Sequence, residues 1–366
     1  MHFTIDTQKF KDAIPYVSKY VGKAKKSPST YIGLQFFICS GKLTLIGFDG
    51  SSGIRYEMGN VEMDDFSATI EYATFDQVVL FTDAHEMTFY FEDTKLKLIC
   101  GKSKYNFKYL PITYDTCFSY VTDGDSWLQI SPAEMNKMFK YTSHYSSTDE
   151  NMYFLRGIYY DGNFASTDAK SVCIYPFKDA INKGYILPKQ MYERIIAFPN
   201  KDKVFSFYDS GSAIVYKTEG IECFTQALTG KFPNYKQVLD KSVNNTLFIE
   251  VPTKVLANAC ERLVPFNDPK ELHKANVIIS PQTITLSTCT AEKDREGIEE
   301  IALVSTNVTK DVGFILNLKK LLVIMATATT ETVKITFQEN LSTPIKFETD
   351  EKACVFDCVI KTRTVA

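Results

Sequence analysis

Residue types that commonly perform chemistry are thinly spread through this chain of 366 residues. Nine cysteines form no CxxC pair, and no HxxH or HExxH spacing occurs among the four histidines, His2, His85, His144 and His273. Zinc sites and Cys–His nucleophiles depend on such spacings, so we expect no metal, no cofactor and no nucleophilic catalytic centre. Scattered cysteines of this kind also predict reduced thiols in a reducing compartment.

Two short motifs with charged residues are better explained as turns than as catalytic groups. Residues 101–103 spell GKS, but Leu96 stands where a phosphate-binding loop needs its first glycine, so a hairpin turn is predicted. Asp168 and Lys170 in STDAKS would be an acid beside a base, or Asp168 is a turn-forming Asx residue. Asp49 in GFDGSS has the equivalent place in an earlier repeat, which favours the turn. We therefore expect a protein that is not an enzyme.

The chain contains a threefold internal repeat, which decides the architecture. Three segments align without gaps and each predicts a short strand followed by an amphipathic helix: IEYATFDQVVLF from Ile70, LPKQMYERIIAF from Leu187 and LNLKKLLVIMAT from Leu316. A second set with the same pattern begins at Phe3, Leu128 and Leu247. After each member of the first set, period-two alternation predicts an antiparallel hairpin.

These repeats predict an α+β chain of three tandem domains, each with two helices packed on antiparallel sheet. Polar stretches at 122–126 (TDGDS) and 240–245 (DKSVNN) are the natural linkers, which gives domains 1–124, 125–243 and 244–366. No apolar run approaches the roughly 18 residues of a membrane span, and the N-terminus lacks the apolar run of a signal peptide. We therefore expect a cytoplasmic protein with no membrane partner.

Charge is divided unequally between the predicted helices and the rest of the chain. The formal net charge of −3 excludes a globally basic nucleic-acid binder. Six windows around the helices nevertheless hold 16 basic and 7 acidic residues, against 25 and 37 elsewhere. If the helices line one surface, that surface would attract a polyanion through phosphate contacts. The basic residues of the predicted outward faces are Lys9, Lys11, Lys19, Lys137, Lys140, Lys189, Arg194, Lys254, Lys319 and Lys320.

Several segments together resemble one known family over the whole chain. They are MHFTIDTQKFKDAI at the start, LKLICGKSKYNFKYLP (96–111), ENMYFLRGIYYD (150–161), ASTDAKSVCIY (165–175), GKFPNYKQVL (230–239) and CVIKTRTVA (358–366). Through them the chain resembles the bacterial DNA polymerase III beta subunit, or beta sliding clamp, family. The resemblance implies three DNA-clamp domains, a ring formed by a head-to-tail homodimer, and a processivity factor that tethers the replicative DNA polymerase to double-stranded DNA.

An estimate of ring size, made without the family, agrees with a dimer. Six helices spaced about 10 Å apart would enclose an opening of only about 9 Å. Twelve helices from two chains would leave about 28 Å, which admits duplex DNA and a layer of water. A closed ring holds DNA by topology, so weak contacts that do not read sequence suffice.

The resemblance also implies DNA-contacting residues. Lys25 and Lys26 match a basic loop of the family, and Tyr153 matches an aromatic residue of a DNA-contacting loop; a strand residue at a domain edge is the alternative for Tyr153. With the helix cations, the predicted DNA-binding residues are Lys9, Lys11, Lys25, Lys26, Lys137, Tyr153, Lys189, Arg194, Lys254, Lys319 and Lys320.

A hydrophobic cleft between the second and third domains is implied as well, where short peptides of the polymerase, the clamp loader and other proteins with clamp-binding motifs would dock. Gln237 stands where many members carry a basic residue, and the C-terminal tail lacks the usual proline, so the preferred peptide is expected to differ. The matching residues are Leu155, Thr167, Val172, Pro233, Gln237, Val238, Leu341 and Ile360.

Two alternatives to a DNA-encircling clamp come from other functional classes. A scaffold with the same fold would bind replication or repair proteins without encircling DNA. A hydrolase would lose its activity on one side-chain change, and no residue of the sequence presents itself for that role. Retention on circular duplex DNA, with loss from linear ends, distinguishes the clamp from the scaffold.

Overall fold

The computed structural model describes residues 1–22, 33–111, 125–178, 181–211, 213–267, 273–290, 295–349 and 354–357. The chain divides into two compact units, one made of residues 1–136 and 190–227 and the other of residues 137–189 and 228–366. The three-domain boundaries given above stay a prediction. Within the described part of the chain, no helix is long and apolar enough to cross a membrane.

All six helices that the repeat predicts are present, and each follows a strand. The described helices are α1 (Thr7–Val17), α2 (Tyr72–Phe81), α3 (Pro132–Thr142), α4 (Lys189–Ile196), α5 (Lys236–Ser242), α6 (Thr253–Leu263) and α7 (Leu318–Thr327). Helix α5 was not predicted, and it extends into the stretch 240–245 that was expected to be a linker. Short 3-10 helices occupy Ser18–Tyr20, Ser143–Tyr145, Glu150–Leu155 and Val264–Phe266.

The first unit contains one antiparallel sheet of twelve strands. Their spatial order is β1 (His2–Asp6), β6 (Glu86–Glu92), β7 (Lys95–Cys100), β8 (Ser103–Pro111), β5 (Phe66–Ile70), β2 (Leu34–Cys39), β3 (Lys42–Phe48), β4 (Ser52–Asn60), β16 (Ile221–Thr225), β15 (Ile214–Thr218), β14 (Phe205–Asp209) and β9 (Leu128–Ile130). Residues 101–103 form the turn between β7 and β8, as predicted. Strands from the first and second predicted domains therefore share one sheet through β4 and β16.

The second unit contains two antiparallel sheets. The larger has the order β13 (Tyr185–Leu187), β10 (Ile158–Tyr160), β11 (Asn163–Thr167), β12 (Ser171–Pro176), β25 (Cys354–Asp357), β24 (Ile345–Glu348), β23 (Thr332–Phe337), β17 (Leu247–Pro252) and β21 (Ser305–Thr306). The smaller has the order β20 (Glu296–Ala302), β19 (Thr283–Cys289), β18 (Lys274–Ile279) and β22 (Val312–Asn317). The three predicted hairpins are confirmed as β6–β7, β14–β15 and β23–β24.

Local sequence explains where several helices begin. The Ser131 backbone N–H donates to the Glu134 carboxylate at 3.0 Å, and the Glu134 N–H donates to Ser131 Oγ at 3.2 Å, which is a capping box at the start of α3. Asp6 accepts from the Gln8 N–H at 2.6 Å before α1, and Asn317 accepts from the Lys320 N–H at 3.0 Å before α7.

Apolar stripes fix which face of each helix meets the sheet. In the first unit, α1 packs beside α2 and buries Phe10, whose ring lies 5.2 Å from that of Phe89. In the second unit, α6 packs beside α7, with Leu256 and Leu321 among the buried residues. Because these stripes face inward, the polar residues between them face solvent. This orientation presents the helix cations examined below.

Candidate nucleic-acid and peptide-docking surfaces

The solvent-facing sides of five helices carry most of the cations that the sequence predicted there. Lys11 and Lys189 are half-buried, and the Lys11 ammonium donates to the Thr82 carbonyl at 2.6 Å. The fully exposed members are Lys9, Lys19, Lys137, Lys140, Lys254 and Lys319. An ammonium on an exposed helix face is free to contact phosphate oxygens of any sequence.

Helix α2 departs from this pattern. It contains no lysine or arginine, and Asp76 is its charged residue. Near its C-terminal end, Leu80 is 38% exposed and Phe81 is 82% exposed. The expectation that all six helices share one sign of charge is therefore wrong for α2. Its exposed apolar end is typical of a contact with protein rather than with phosphate.

Arg194 does not lie on the outward face of α4, so its predicted DNA contact is wrong. The residue is 3% exposed, and its guanidinium is paired with the Asp49 carboxylate. The guanidinium carbon also lies 4.4 Å from the ring centroid of Tyr20. Helical geometry explains the error, because Arg194 stands three residues after the buried Met191 and so shares its inward face.

The turn aspartates are structural, as predicted, and each also binds a cation from a later helix. Asp49 Oδ1 accepts from the backbone N–H groups of Ser51 at 2.9 Å and Ser52 at 2.8 Å. Burial alone would raise the pKa of Asp49. The hydrogen bond from Arg194, the two N–H groups and the positive charge of Arg194 outweigh it, so this pKa lies below its ordinary value.

The equivalent aspartate of the second unit has the same arrangement. Asp168 accepts from the N–H groups of Lys170 at 3.0 Å and Ser171 at 2.7 Å, while the Lys320 ammonium lies 2.8 Å from its other oxygen. Burial opposes ionisation here too, but the Lys320 hydrogen bond and the backbone donors lower the pKa of Asp168. Lys320 is thus placed against protein, and its predicted DNA contact is reconsidered below.

Tyr153 lies in the 3-10 helix Glu150–Leu155 rather than in a strand. Its side chain is 46% exposed, and its hydroxyl lies 3.0 Å from Thr229 Oγ1. The chain bends sharply just before it, at Met152, whose φ and ψ of −108° and 49° interrupt the helix. The ring is therefore presented on a loop held by the segment 228–232.

Three of the predicted site residues, Lys25, Lys26 and Ile360, lie outside the described residues. Among the residues that the structure describes, no group of three or more histidine, cysteine, aspartate or glutamate side chains is arranged to hold a metal ion.

The structure brings three of the predicted peptide-cleft residues into one apolar cluster. Leu155 and Val172 are buried in it, and Val238 packs against it from the partly exposed side. Thr167 stands opposite Val172 in the β11–β12 ladder, with 4% of its surface exposed. The remaining buried members are Ala165, Ile174, Ile186, Phe232 and Tyr235, and the partly buried ones are Phe154, Tyr159, Leu228 and Leu239.

The other predicted cleft residues have different positions. Pro233 and Gln237 are exposed on the segment that carries Phe232 and Val238. Leu341 is half-buried in the turn between β23 and β24, with φ of +51° and its N–H bonded to the Gln338 carbonyl at 3.0 Å. It is not among the residues that form the apolar cluster.

Sequence reasoning missed a polar connection that holds the cleft segment in place. The Tyr235 hydroxyl donates to Asp161 Oδ1 at 2.6 Å, and the Lys236 ammonium lies 2.9 Å from Asp161 Oδ2. Burial raises the pKa of Tyr235, as does its bond to Asp161, so the phenol remains a donor. Asp161 follows the buried strand β10 directly, and an acid in that place is the signal that could have drawn attention to it.

Comparison with known proteins gives matches over the first domain and over the whole chain. Residues 1–114 match the family model of the DNA polymerase III beta subunit, N-terminal domain. The beta sliding clamp of Lactococcus lactis subsp. lactis is 22% identical over 282 residues, which cover 71% of this chain and 73% of that protein.

Solved structures match the fold from end to end. The DNA polymerase sliding clamp of Pseudomonas aeruginosa, solved with a ligand, superposes with a TM-score of 0.86 at 16% identity, covering 99% of this chain and all of that one. The beta subunit from the DNA polymerase of Streptococcus pyogenes gives a TM-score of 0.84 at 17% identity, with the same coverage. These findings confirm the resemblance of the chain to the bacterial DNA polymerase III beta subunit, or beta sliding clamp, family, whose fold it shares over its whole length.

Proposed function

We propose that two copies of this chain close head to tail into a ring around duplex DNA, and that the ring tethers the replicative DNA polymerase without reading base sequence. The observation that carries this proposal is the coincidence of the whole-length clamp fold with cations on the solvent-facing sides of five helices. The proposed DNA contacts are Lys9, Lys11, Lys137, Tyr153, Lys189, Lys254 and Lys319, with Lys25 and Lys26 of the basic loop.

Strand pairing within the chain supports the head-to-tail mode. Strand β16, the last strand of the second predicted domain, pairs with β4 of the first. Strand β25, the last strand of the third, pairs with β12 of the second in the same antiparallel way. The equivalent strands left over are β8 of the first domain and β20 of the third, and a second copy would join them by the same rule.

The chemistry of these two leftover strands is complementary. Residues Ser103–Lys108 of β8 pair with β7 alone, and β20 is an end strand of its sheet. Strand β8 exposes Lys104 and Lys108, whereas β20 exposes Glu296 and Glu300. Each strand also exposes apolar surface, with Ile298 64% exposed in β20. Opposite charges around apolar contacts favour pairing between two chains and disfavour pairing of either strand with itself.

Partners of the ring would dock by short peptides at the apolar cluster of Leu155, Val172 and Val238. The proposed partners are the polymerase, a clamp loader and other proteins with clamp-binding motifs. In this proposal the chain is a non-catalytic subunit that works in the cytoplasm, where the replicated DNA is.

Topological retention tests the ring directly. Duplex DNA fixed to a bead at one end is incubated with the protein, and the free end is then blocked with a bulky protein. We expect the chain to stay through a high-salt wash that abolishes phosphate contacts, and to leave when a restriction enzyme cuts the DNA. A scaffold that does not encircle DNA would wash off before the cut, and that result would refute the proposal.

Charge reversal tests the dimer in the same assay. The variant Lys104→Glu/Lys108→Glu and the variant Glu296→Lys/Glu300→Lys should each fail to form a ring, because each places like charges at both contacts. Mixed together, they restore opposite charges at both contacts, so light scattering should show dimers and the beads should retain protein. A mixture that remains monomeric would contradict pairing of β8 with β20.

A further inference from the structure

Lys320 of α7 is bound to a turn of the peptide cleft. Its ammonium lies 2.8 Å from Asp168 Oδ2 and donates to Ser171 Oγ at 2.5 Å. The lysine and aspartate side chains are only 25% and 29% exposed. Its neighbour Lys319 is fully exposed on the same helix. Of these two adjacent cations, one is therefore engaged by protein and the other is open to solvent.

The turn that Lys320 holds is conformationally demanding. It joins β11 to β12, and Ala169 within it has φ of +70°, a left-handed conformation that a residue with a side chain adopts only when its surroundings enforce it. Asp168 enforces it from within, by accepting from two backbone N–H groups of the turn. Lys320 enforces it from outside, because it binds both ends of the turn at Asp168 and Ser171.

The same turn carries two of the cleft residues. Thr167 precedes it and Val172 follows it, and the Thr167 hydroxyl donates to the Ser171 carbonyl at 2.7 Å. Val172 is 7% exposed within the apolar cluster that contains Leu155. A shift of Ser171 would therefore move Val172, the next residue, along the floor of the cleft.

The first unit repeats this arrangement, which argues that it is a designed contact. Asp49 forms the equivalent turn between β3 and β4, and Arg194 of α4 binds it as Lys320 of α7 binds Asp168. In both units the cation comes from the second helix of the following repeat. The pair in the first unit is more deeply buried, at 3% and 16% exposure.

We propose that Lys320 is a positioning residue of the peptide cleft rather than a DNA contact. By binding Asp168 and Ser171 it fixes the β11–β12 turn, and through that turn it fixes Thr167 and Val172 where a partner peptide docks. This inference rests on the proposed cleft, and it assigns to one helix two neighbouring lysines with separate roles.

The test compares Lys320→Met with Lys319→Met as a matched control. The probe is a fluorescein-labelled peptide selected from a random library on the wild-type chain and counter-selected on Val238→Asp, so that it reports the cleft. We expect Lys320→Met to weaken this peptide about threefold to tenfold, and Asp168→Asn to do the same. Lys320→Arg, which keeps the charge and the donors, should bind it within about twofold of wild type.

The DNA readout must move in the opposite sense. In affinity measurements on duplex DNA at several salt concentrations, Lys319→Met should lower the salt slope by about 0.9, the value for one lost phosphate contact, and Lys320→Met should leave the slope unchanged. A Lys320→Met variant with a lower salt slope and normal peptide affinity would overturn the inference while leaving the ring intact. Failure to select any peptide that depends on Val238 would overturn the cleft and this inference together, but not DNA encirclement.

Discussion

Removal of one partner of the Asp49–Arg194 pair should destabilise the first unit far more than loss of an ordinary surface ion pair. Both groups are withdrawn from water, with 3% of the Arg194 side chain and 16% of the Asp49 side chain exposed. Breaking a buried pair in this way typically lowers the free energy of unfolding by about 3–5 kcal/mol, because an uncompensated charge stays inside. The half-exposed Lys320–Asp168 pair should contribute no more than about 1 kcal/mol.

The two single substitutions should not be equivalent. In Arg194→Met, the Asp49 carboxylate still accepts from the N–H groups of Ser51 and Ser52 and retains some contact with water. In Asp49→Asn, the guanidinium stays buried, and its Nε and Nη1 atoms have no hydrogen-bond partner even in the wild type. Only the ring of Tyr20, 4.4 Å away, would remain beside the charge. We therefore expect Asp49→Asn to be the more destabilising change.

Urea unfolding followed by tryptophan fluorescence measures both effects in the relevant unit. The chain has a single tryptophan, Trp127, whose ring lies 5.4 Å from that of Phe207 in the first unit. The double variant Asp49→Asn/Arg194→Met should recover part of the loss, with a coupling free energy of about 1–3 kcal/mol. If both single variants unfold within about 0.5 kcal/mol of wild type, the pair is not buried and the account of Arg194 given above is wrong.

Three further measurements follow from the described contacts. Since the folded-state pKa of Asp49 lies below the unfolded value of about 3.9, its stabilising contribution is present above about pH 4 and is lost as pH falls through the folded pKa; the stability difference between wild type and Asp49→Asn should therefore shrink in acid, and a constant difference would contradict the pairing. Gly230→Ala should lower the free energy of unfolding by about 1–3 kcal/mol and weaken peptide binding, because φ is +136° and the new Cβ would lie 2.7 Å from Phe154 Cβ; calorimetry on the variant checks this, with Gly211→Ala, at φ of +82° in open space, as the control for backbone strain alone. Lys254→Met should weaken duplex binding equally for unrelated sequences, whereas a change confined to one sequence would speak against contacts to phosphate alone.

Periodicity and repetition were sufficient to predict the architecture from sequence. The strand–helix starts at Phe3, Ile70 and Leu128 are confirmed because each apolar stripe has only one way to be buried against a sheet. Helix α5 escaped the same reasoning, since its seven residues (Lys236–Ser242) bury none of their side chains and so lack a stripe. The Asx turns at Asp49 and Asp168 were also predictable, because their hydrogen bonds are local in sequence.

The ion pairs were not predictable, because their partners are distant in sequence. Arg194 lies 145 residues from Asp49, and Lys320 lies 149 residues from Ser171. A count of charges in helix windows treats every lysine and arginine as solvated, so it cannot distinguish Lys319 from Lys320. Burial decides which cation is available for DNA, and burial follows from tertiary contacts that a single sequence does not display.

The number of chains in the ring follows from combining strand pairing with the cationic faces. Pairing by the rule of β4 with β16 and β12 with β25 could in principle join any number of copies, because β8 and β20 are left at opposite ends of each chain. One chain would leave an opening of about 9 Å, narrower than the major groove alone, and three chains would leave about 47 Å. At that larger width most lysines would stand away from the phosphates. Only two chains place ammonium groups such as that of Lys254 near a duplex on every side, so strand pairing makes closure possible and charge selects the dimer.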